Sequence, residues 1–248
     1  MGSTSVSILV VDDEADSCKN LSDIFTDFGY RVDVAYDGAA ALELLRKTSY
    51  DVALLDLKMP GMDGLTLYRE IKKMRADTVA IIVTAYASSA TAEAALEAGA
   101  WKIVAKPVDV QPLLEMVEGA AAQPLVMIVD DDHDLCENLW QILRDRGYRV
   151  GLAHNEREAE QRLRETDFKV VLIDMKLPDG DGSRVFRLVR QSSPTARTIL
   201  ITGFRTEMDQ LIQQIVTEGA DDVCYKPFDV DQLIAKIEHL AGNHHDSA

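Results

Sequence analysis

Aspartates carry most of the reactive chemistry in this chain, and they recur in register. Asp56 closes an apolar run in YDVALLDLKMPGMDG, and Asp174 closes the same run in FKVVLIDMKLPDGDG, 118 positions later. A core-forming strand gains nothing from a terminal carboxylate, so its appearance twice in one setting asks for a chemical reason. Each is accompanied by the same residues at other strand ends: Asp12, Asp13, Thr84 and Lys106 in the first half, and Asp130, Asp131, Thr202 and Lys226 in the second. Three carboxylates in one cleft repel one another unless a cation sits among them. Oxygen donors without His or Cys select a hard ion such as Mg²⁺, which keeps waters and shares phosphate oxygens. A Thr hydroxyl and a Lys ammonium opposite that ion would bind the remaining oxygens of a phosphoryl group, with Asp56 and Asp174 as nucleophiles. Phosphoryl transfer onto a carboxylate needs little beyond positioning and charge neutralisation, and this set supplies both.

Convergence of five such residues requires a particular scaffold. Apolar runs predict buried parallel strands over 6–11, 52–56, 79–84 and 103–105, and a further short strand is predicted over 31–35. Helices are predicted between and after them, over 16–28, 38–47, 64–74, 87–98 and 109–119. In the first, Leu21, Ile24, Phe25 and Phe28 form an apolar stripe that Gly29 terminates. In the third, Leu67 and Ile71 face inward. Five alternations of strand and helix predict an α/β domain, a doubly wound parallel sheet whose carboxyl ends share one edge. The alternation then repeats, which divides the chain into domains at 1–122 and 123–248, with Pro124 barring a continuous helix between them. The offset grows from 118 at Thr84/Thr202 to 120 at Gly99/Gly219, so the second half carries two extra residues around its fourth helix.

Composition narrows the partners. A formal net charge of -16 with no basic run argues against a nucleic-acid surface. No apolar stretch approaches the roughly 18 residues that span a bilayer, and no signal peptide is evident, so a cytoplasmic protein without membrane contact is expected. Cys18, Cys136 and Cys224 are too scattered for disulfides or zinc; Cys18 and Cys136 share one repeat position and read as helix filler. His244 and His245 read as a polar tail rather than metal ligands. A single acidic pair after a strand is ordinarily a solvated helix start, where carboxylates favour the dipole. Duplication of the whole set is what argues for chemistry.

Together these motifs resemble the receiver domains of bacterial two-component response regulators, fused in tandem over essentially the whole chain. The resemblance implies two flavodoxin-like (βα)5 domains with strand order 2-1-3-4-5, each taking phosphate from a histidine kinase or phosphotransfer protein in a Mg²⁺-dependent reaction. It also implies that Asp13 and Asp131 bind Mg²⁺ directly, Asp12 and Asp130 through water, and Lys58 and Lys176 through backbone carbonyls. Thr84 and Thr202 would engage the phosphoryl group. Receivers usually carry an aromatic switch residue three positions before the Lys; here those positions are Ile103 and Val223. By alternation Trp101, Ile103 and Ala105 share one face, as do Val223 and Tyr225, so Tyr225 is expected to replace the switch in part. Lys58 and Lys176 follow the acceptors by two residues, and Tyr86 and Phe204 follow the threonines by two, positions expected to restrict water and slow self-dephosphorylation. The small residues Ala90, Ala92, Ala94, Ala95 and Ala98, with Trp101, suggest a face where the first domain docks on another domain or protomer. No separate catalytic domain is expected. The competing readings are the regulatory half of a longer effector such as a diguanylate cyclase, or a scaffold in which one receiver is only structural. A haloacid-dehalogenase-type phosphatase is disfavoured, since its strand-one Asp-x-Asp-x-Thr/Val motif is absent.

Overall fold

The computed structural model describes residues 6–178, 180–203 and 209–242; Phe204, His244 and His245 lie outside them. It divides into two compact units, Met1–Gln123 and Pro124–Ala248. In the first unit the strands are β1 (Ser7–Val11), β2 (Arg31–Ala35), β3 (Val52–Leu55), β4 (Val79–Thr84) and β5 (Lys102–Ala105). Between and after them lie helices α1 (Ala15–Asp27), α2 (Gly38–Lys47), α3 (Gly64–Met74), α4 (Ala90–Glu97) and α5 (Val110–Ala121). The sheet is parallel throughout, in the order β2-β1-β3-β4-β5. The second unit repeats it with β6 (Leu125–Val129), β7 (Arg149–Ala153), β8 (Val170–Asp174), β11 (Arg197–Thr202) and β12 (Asp222–Tyr225), ordered β12-β11-β8-β6-β7. Its helices are α6 (His133–Asp145), α7 (Glu156–Glu165), α8 (Ser183–Ser192), α9 (Asp209–Thr217) and α10 (Val230–Ala241). Between β8 and α8 a short antiparallel pair, β9 (Lys176–Leu177) with β10 (Gly180–Asp181), follows Asp174. α9 has 9 residues against 8 in α4.

Both faces of the first sheet are covered over its apolar central strands β1, β3 and β4. Leu9, Val11, Ala53, Leu55 and Ile82 face one cluster with Leu45, Leu67, Ile71, Ala92 and Ala95. Ile8, Val10, Leu54, Ile81 and Val83 face the other, with Leu21, Phe25, Leu113 and Val117. Side-chain caps set several helix starts: Asp37, Asp63, Ser89 and Asp109 each accept an amide of the first turn.

Three expectations need correction. Phe28 is 62 % exposed, because α1 ends at Asp27 and Phe28 caps it just before Gly29 turns the chain at φ +87°. The fourth helix begins at Ala90 rather than 87, since a turn from Tyr86 to Ser89 precedes the Ser89 cap. Trp101 does not share a face with Ile103. It lies outside β5 and packs with Val104, Leu113 and Val117, near Gly119 of α5, whereas Ile103 packs with the opposite cluster. The alanines of α4 also have an internal use. Ala92 and Ala95 are fully buried and Ala94 and Ala98 partly so, which lets the helix lie close to its own sheet.

Candidate functional site

The site residues lie at or just past strand ends: Thr84, Asp174 and Thr202 close β4, β8 and β11, and Asp12, Asp56, Lys106, Asp130 and Lys226 each follow a strand's last residue. The Asp12 amide donates to the Ala35 carbonyl at 3.2 Å, that of Asp56 to Val11 at 2.9 Å, and that of Lys106 to Thr84 at 3.0 Å. In the second unit Asp130 donates to Ala153 at 3.1 Å and Lys226 to Thr202 at 2.7 Å. The backbone thus carries five strand ends to one edge before any side chain chooses a rotamer. Behind Asp56 and Asp174 the loop must pass close under the strand end. A Cβ on Gly64 would collide with the Asp56 carbonyl oxygen, and one on Gly182 with that of Asp174. Glycine at these positions is therefore a steric requirement of the site.

One carboxylate oxygen each from Asp12, Asp13 and Asp56 lie within 4.8 Å of one another, as do those of Asp130, Asp131 and Asp174. In both triads the middle residue is exposed and the other two are buried. Lys106 Nζ bridges Asp12 Oδ2 at 2.6 Å and Asp56 Oδ2 at 3.2 Å; Lys226 Nζ bridges Asp130 Oδ2 at 2.7 Å and Asp174 Oδ2 at 2.8 Å. One ammonium against three carboxylates leaves two negative charges unbalanced in each cluster, the deficit that a divalent cation fills. All donors are oxygen and one side is open to water, which suits Mg²⁺. Burial alone would lower both lysine pKa values, but the carboxylates they bridge outweigh it and hold them above the ordinary range. Asp130 is pushed up by its burial, against the opposing pull of Lys226.

Thr84 and Thr202 are buried, and the Thr84 hydroxyl accepts the Tyr86 amide at 3.2 Å. Across the strand pair Thr84 faces Ala105, whereas Thr202 faces Tyr225. At Lys58 and Lys176 it is the amide that points to the acceptor, donating to Asp56 Oδ1 at 3.4 Å and Asp174 Oδ1 at 3.0 Å. The Lys58 ammonium stands 3.4 Å above the Tyr86 ring, a cation–π contact that joins the residues two positions beyond Asp56 and Thr84. In the second unit a cleft of about 350 Å³ is lined by Asp131, Asp174, Lys176, Leu177, Pro178, Gly203 and Lys226.

Sequence reasoning missed several neighbours. The buried thiols of Cys18 and Cys136 donate to the carbonyls of Asp12 and Asp130 at 3.3 and 3.4 Å, and burial first, then the aspartates, pushes them up to about 11 and about 12. They are fixed, protonated supports of the acidic strand ends. His133 and His154 stack at 3.8 Å beside the second site, and His154 Nδ1 lies 3.0 Å from the Asp130 carbonyl. A carbonyl only accepts, so that nitrogen carries the proton. Comparison of the halves could have flagged this pair, since Ala15 and Tyr36 occupy the matching positions. Ser17, which donates to Asp12, carries the same signal, since Leu135 occupies its matching position.

A family model described as response regulator receiver domain matches residues 8–118 and again 126–238. A response regulator receiver protein of Anaeromyxobacter sp. (strain Fw109-5) is 33% identical over 232 residues, covering 94% of each chain. The transcriptional regulatory protein ZraR of Salmonella typhimurium is 39% identical over 117 residues, 47% of this chain and 26% of its own length. Among solved structures, the response regulator TrrA of Thermotoga maritima, in complex with Mg²⁺-BeF, is 34% identical and covers 46% of this chain and 98% of its own, with a TM-score of 0.42. The chain belongs to the response regulator receiver family and carries that domain twice.

Proposed function

We propose that Asp56 and Asp174 each accept a phosphoryl group from the phosphohistidine of a histidine kinase or phosphotransfer protein. The observation that carries this is the duplicated cluster of three carboxylates bridged by one lysine at the sheet edge. A carboxylate oxygen of the acceptor attacks phosphorus, the P–N bond breaks, and its electron pair stays on the donor imidazole. Lys106 or Lys226 turns from the carboxylates toward the phosphoryl oxygens, and the Thr84 or Thr202 hydroxyl donates to another. Asp12, Asp13 and Asp56, with the Lys58 carbonyl, would hold Mg²⁺; Asp130, Asp131 and Asp174, with that of Lys176, would hold the second ion. Bound there, Mg²⁺ would neutralise charge on the transferring group. Incubation with an acyl phosphate and Mg²⁺ tests this: acid-labile, hydroxylamine-sensitive label is expected on the aspartates, and none appears if the reading is wrong.

Output is assigned to altered domain or partner contacts. Tyr225, facing Thr202 across the strands, is the residue we assign to relaying the second domain's state. Tyr225→Ala is expected to abolish phosphorylation-dependent changes in amide exchange of that domain, with the phosphorylation level retained; unchanged behaviour removes the assignment. Exposed Leu96 on α4 and Val216 on α9, at matching positions, offer apolar contacts for docking on another domain or protomer, with half-buried Trp101 following α4 in the first domain. No described helix is long and apolar enough to cross a membrane, and we place the exchange in the cytoplasm. A second reading, in which the receivers regulate a longer effector, is favoured by ZraR, where the matched segment is 26% of the protein. The reading frame beyond Ala248 separates the two.

A further inference from the structure

The two acidic sites are alike in residue type but not in how their first aspartate is held. Asp12 accepts three donors: the Glu14 amide on Oδ1 at 3.0 Å, and on Oδ2 the Ser17 hydroxyl at 2.7 Å and Lys106 at 2.6 Å. Asp130 accepts the Asp132 amide on Oδ1 at 2.9 Å and Lys226 on Oδ2 at 2.7 Å. The position matching Ser17 is Leu135, which offers no side-chain donor. Among the described residues Lys226 is thus the one side chain donating to Asp130.

The helix starts explain the divergence. In α6 the Asp132 side chain caps the first turn by accepting the Leu135 amide. In α1 the N-cap Glu14 gives no such cap, and Ser17 spends its hydroxyl on Asp12.

The consequence concerns the lysines. Each bridges the first aspartate and the phosphoacceptor, so a lysine drawn toward an incoming phosphoryl oxygen loosens its hold on the acidic pair. Asp12 then keeps a short hydrogen bond to a hydroxyl, strong because its acceptor is charged. Asp130 is left with a backbone amide. Groups that orient a metal-binding carboxylate from behind commonly decide its affinity.

We propose that Ser17 is a positioning residue of the first domain: its hydroxyl fixes Asp12 for a divalent cation independently of Lys106, making the two domains unequal, with tighter Mg²⁺ binding in the first. The proposal rests on the phosphoacceptor reading above. Its test is calorimetric Mg²⁺ titration of the full chain carrying Asp131→Asn, which silences the second site. Ser17→Ala is expected to weaken binding about tenfold, and Ser17→Thr, which keeps the hydroxyl, to stay within about twofold. In the reciprocal background, Asp13→Asn, Leu135→Ser is expected to tighten the second site severalfold. Thermal unfolding without Mg²⁺ establishes that each variant is folded. An unchanged dissociation constant for folded Ser17→Ala overturns the proposal; if that variant does not fold, an unchanged constant for Leu135→Ser does so. A parent chain that neither binds Mg²⁺ nor takes label from an acyl phosphate sinks the phosphoacceptor reading itself, and this inference with it. A parent that does both while Ser17→Ala matches it sinks only the role of Ser17.

Discussion

Lys106 is shared by two carboxylates that are nearly buried, at 2.6 and 3.2 Å, and its removal strands them. Lys106→Met is expected to cost on the order of 2–4 kcal/mol in urea unfolding without Mg²⁺, because breaking a buried pair leaves uncompensated charge. Added Mg²⁺ should recover part of that loss, since a cation that binds only the folded site stabilises it. A variant equally stable with and without the ion would contradict the charge argument. Tyr86 makes a different contribution. We assign its ring, under the Lys58 ammonium, as a cover for Asp56, and expect Tyr86→Ala in an Asp174→Asn chain to lose label severalfold faster than the same chain with Tyr86 intact. Decay at the same rate would show that this cover does not restrict water. The reactive residues were legible because carboxylates at strand ends stand out against apolar runs. Ser17, the two thiols and the His133/His154 pair were not, because their roles exist only as contacts between separate strands and helices.

The strand-to-helix loops decide whether those residues meet. Gly64 passes so close to the Asp56 carbonyl that any side chain must push the loop away. Gly64→Ala is therefore expected to lower stability by about 2 kcal/mol or more and to impair labelling of Asp56 beyond what the stability loss explains. Circular dichroism melts and labelling at a temperature where the variant is folded check both. Strand and most helix positions followed from apolar periodicity, whereas the strand order followed from the resemblance to receiver domains. Where the reading went astray, local chemistry competed with pattern. Phe28 fits the helical stripe but falls in the cap, and Trp101 sits next to a strand without belonging to it. Of the α4 alanines expected to form a docking face, Ala92 and Ala95 pack against the helix's own sheet, which leaves Leu96 as the large exposed apolar residue of that helix. The β9–β10 pair had no pattern long enough to be seen.

Duplication is the chain's largest-scale feature, and it gave the acidic pairs their meaning before any geometry was available. Two units repeat one sheet order, one edge of strand ends and one charge deficit, within a chain of formal net charge -16. The halves differ in supports rather than in reactive groups: Ser17 against Leu135, Ala15 and Tyr36 against His133 and His154, Ala105 against Tyr225. The account accordingly predicts two competent acceptors. Phosphotransfer from a radiolabelled acyl phosphate with Mg²⁺, run on the wild type, Asp56→Asn, Asp174→Asn and the double variant, tests this most directly. Label is expected on the wild type and on each single variant, and none on the double variant or in the presence of a chelator. Label that persists when both aspartates are replaced, or a wild type that takes none, would contradict it.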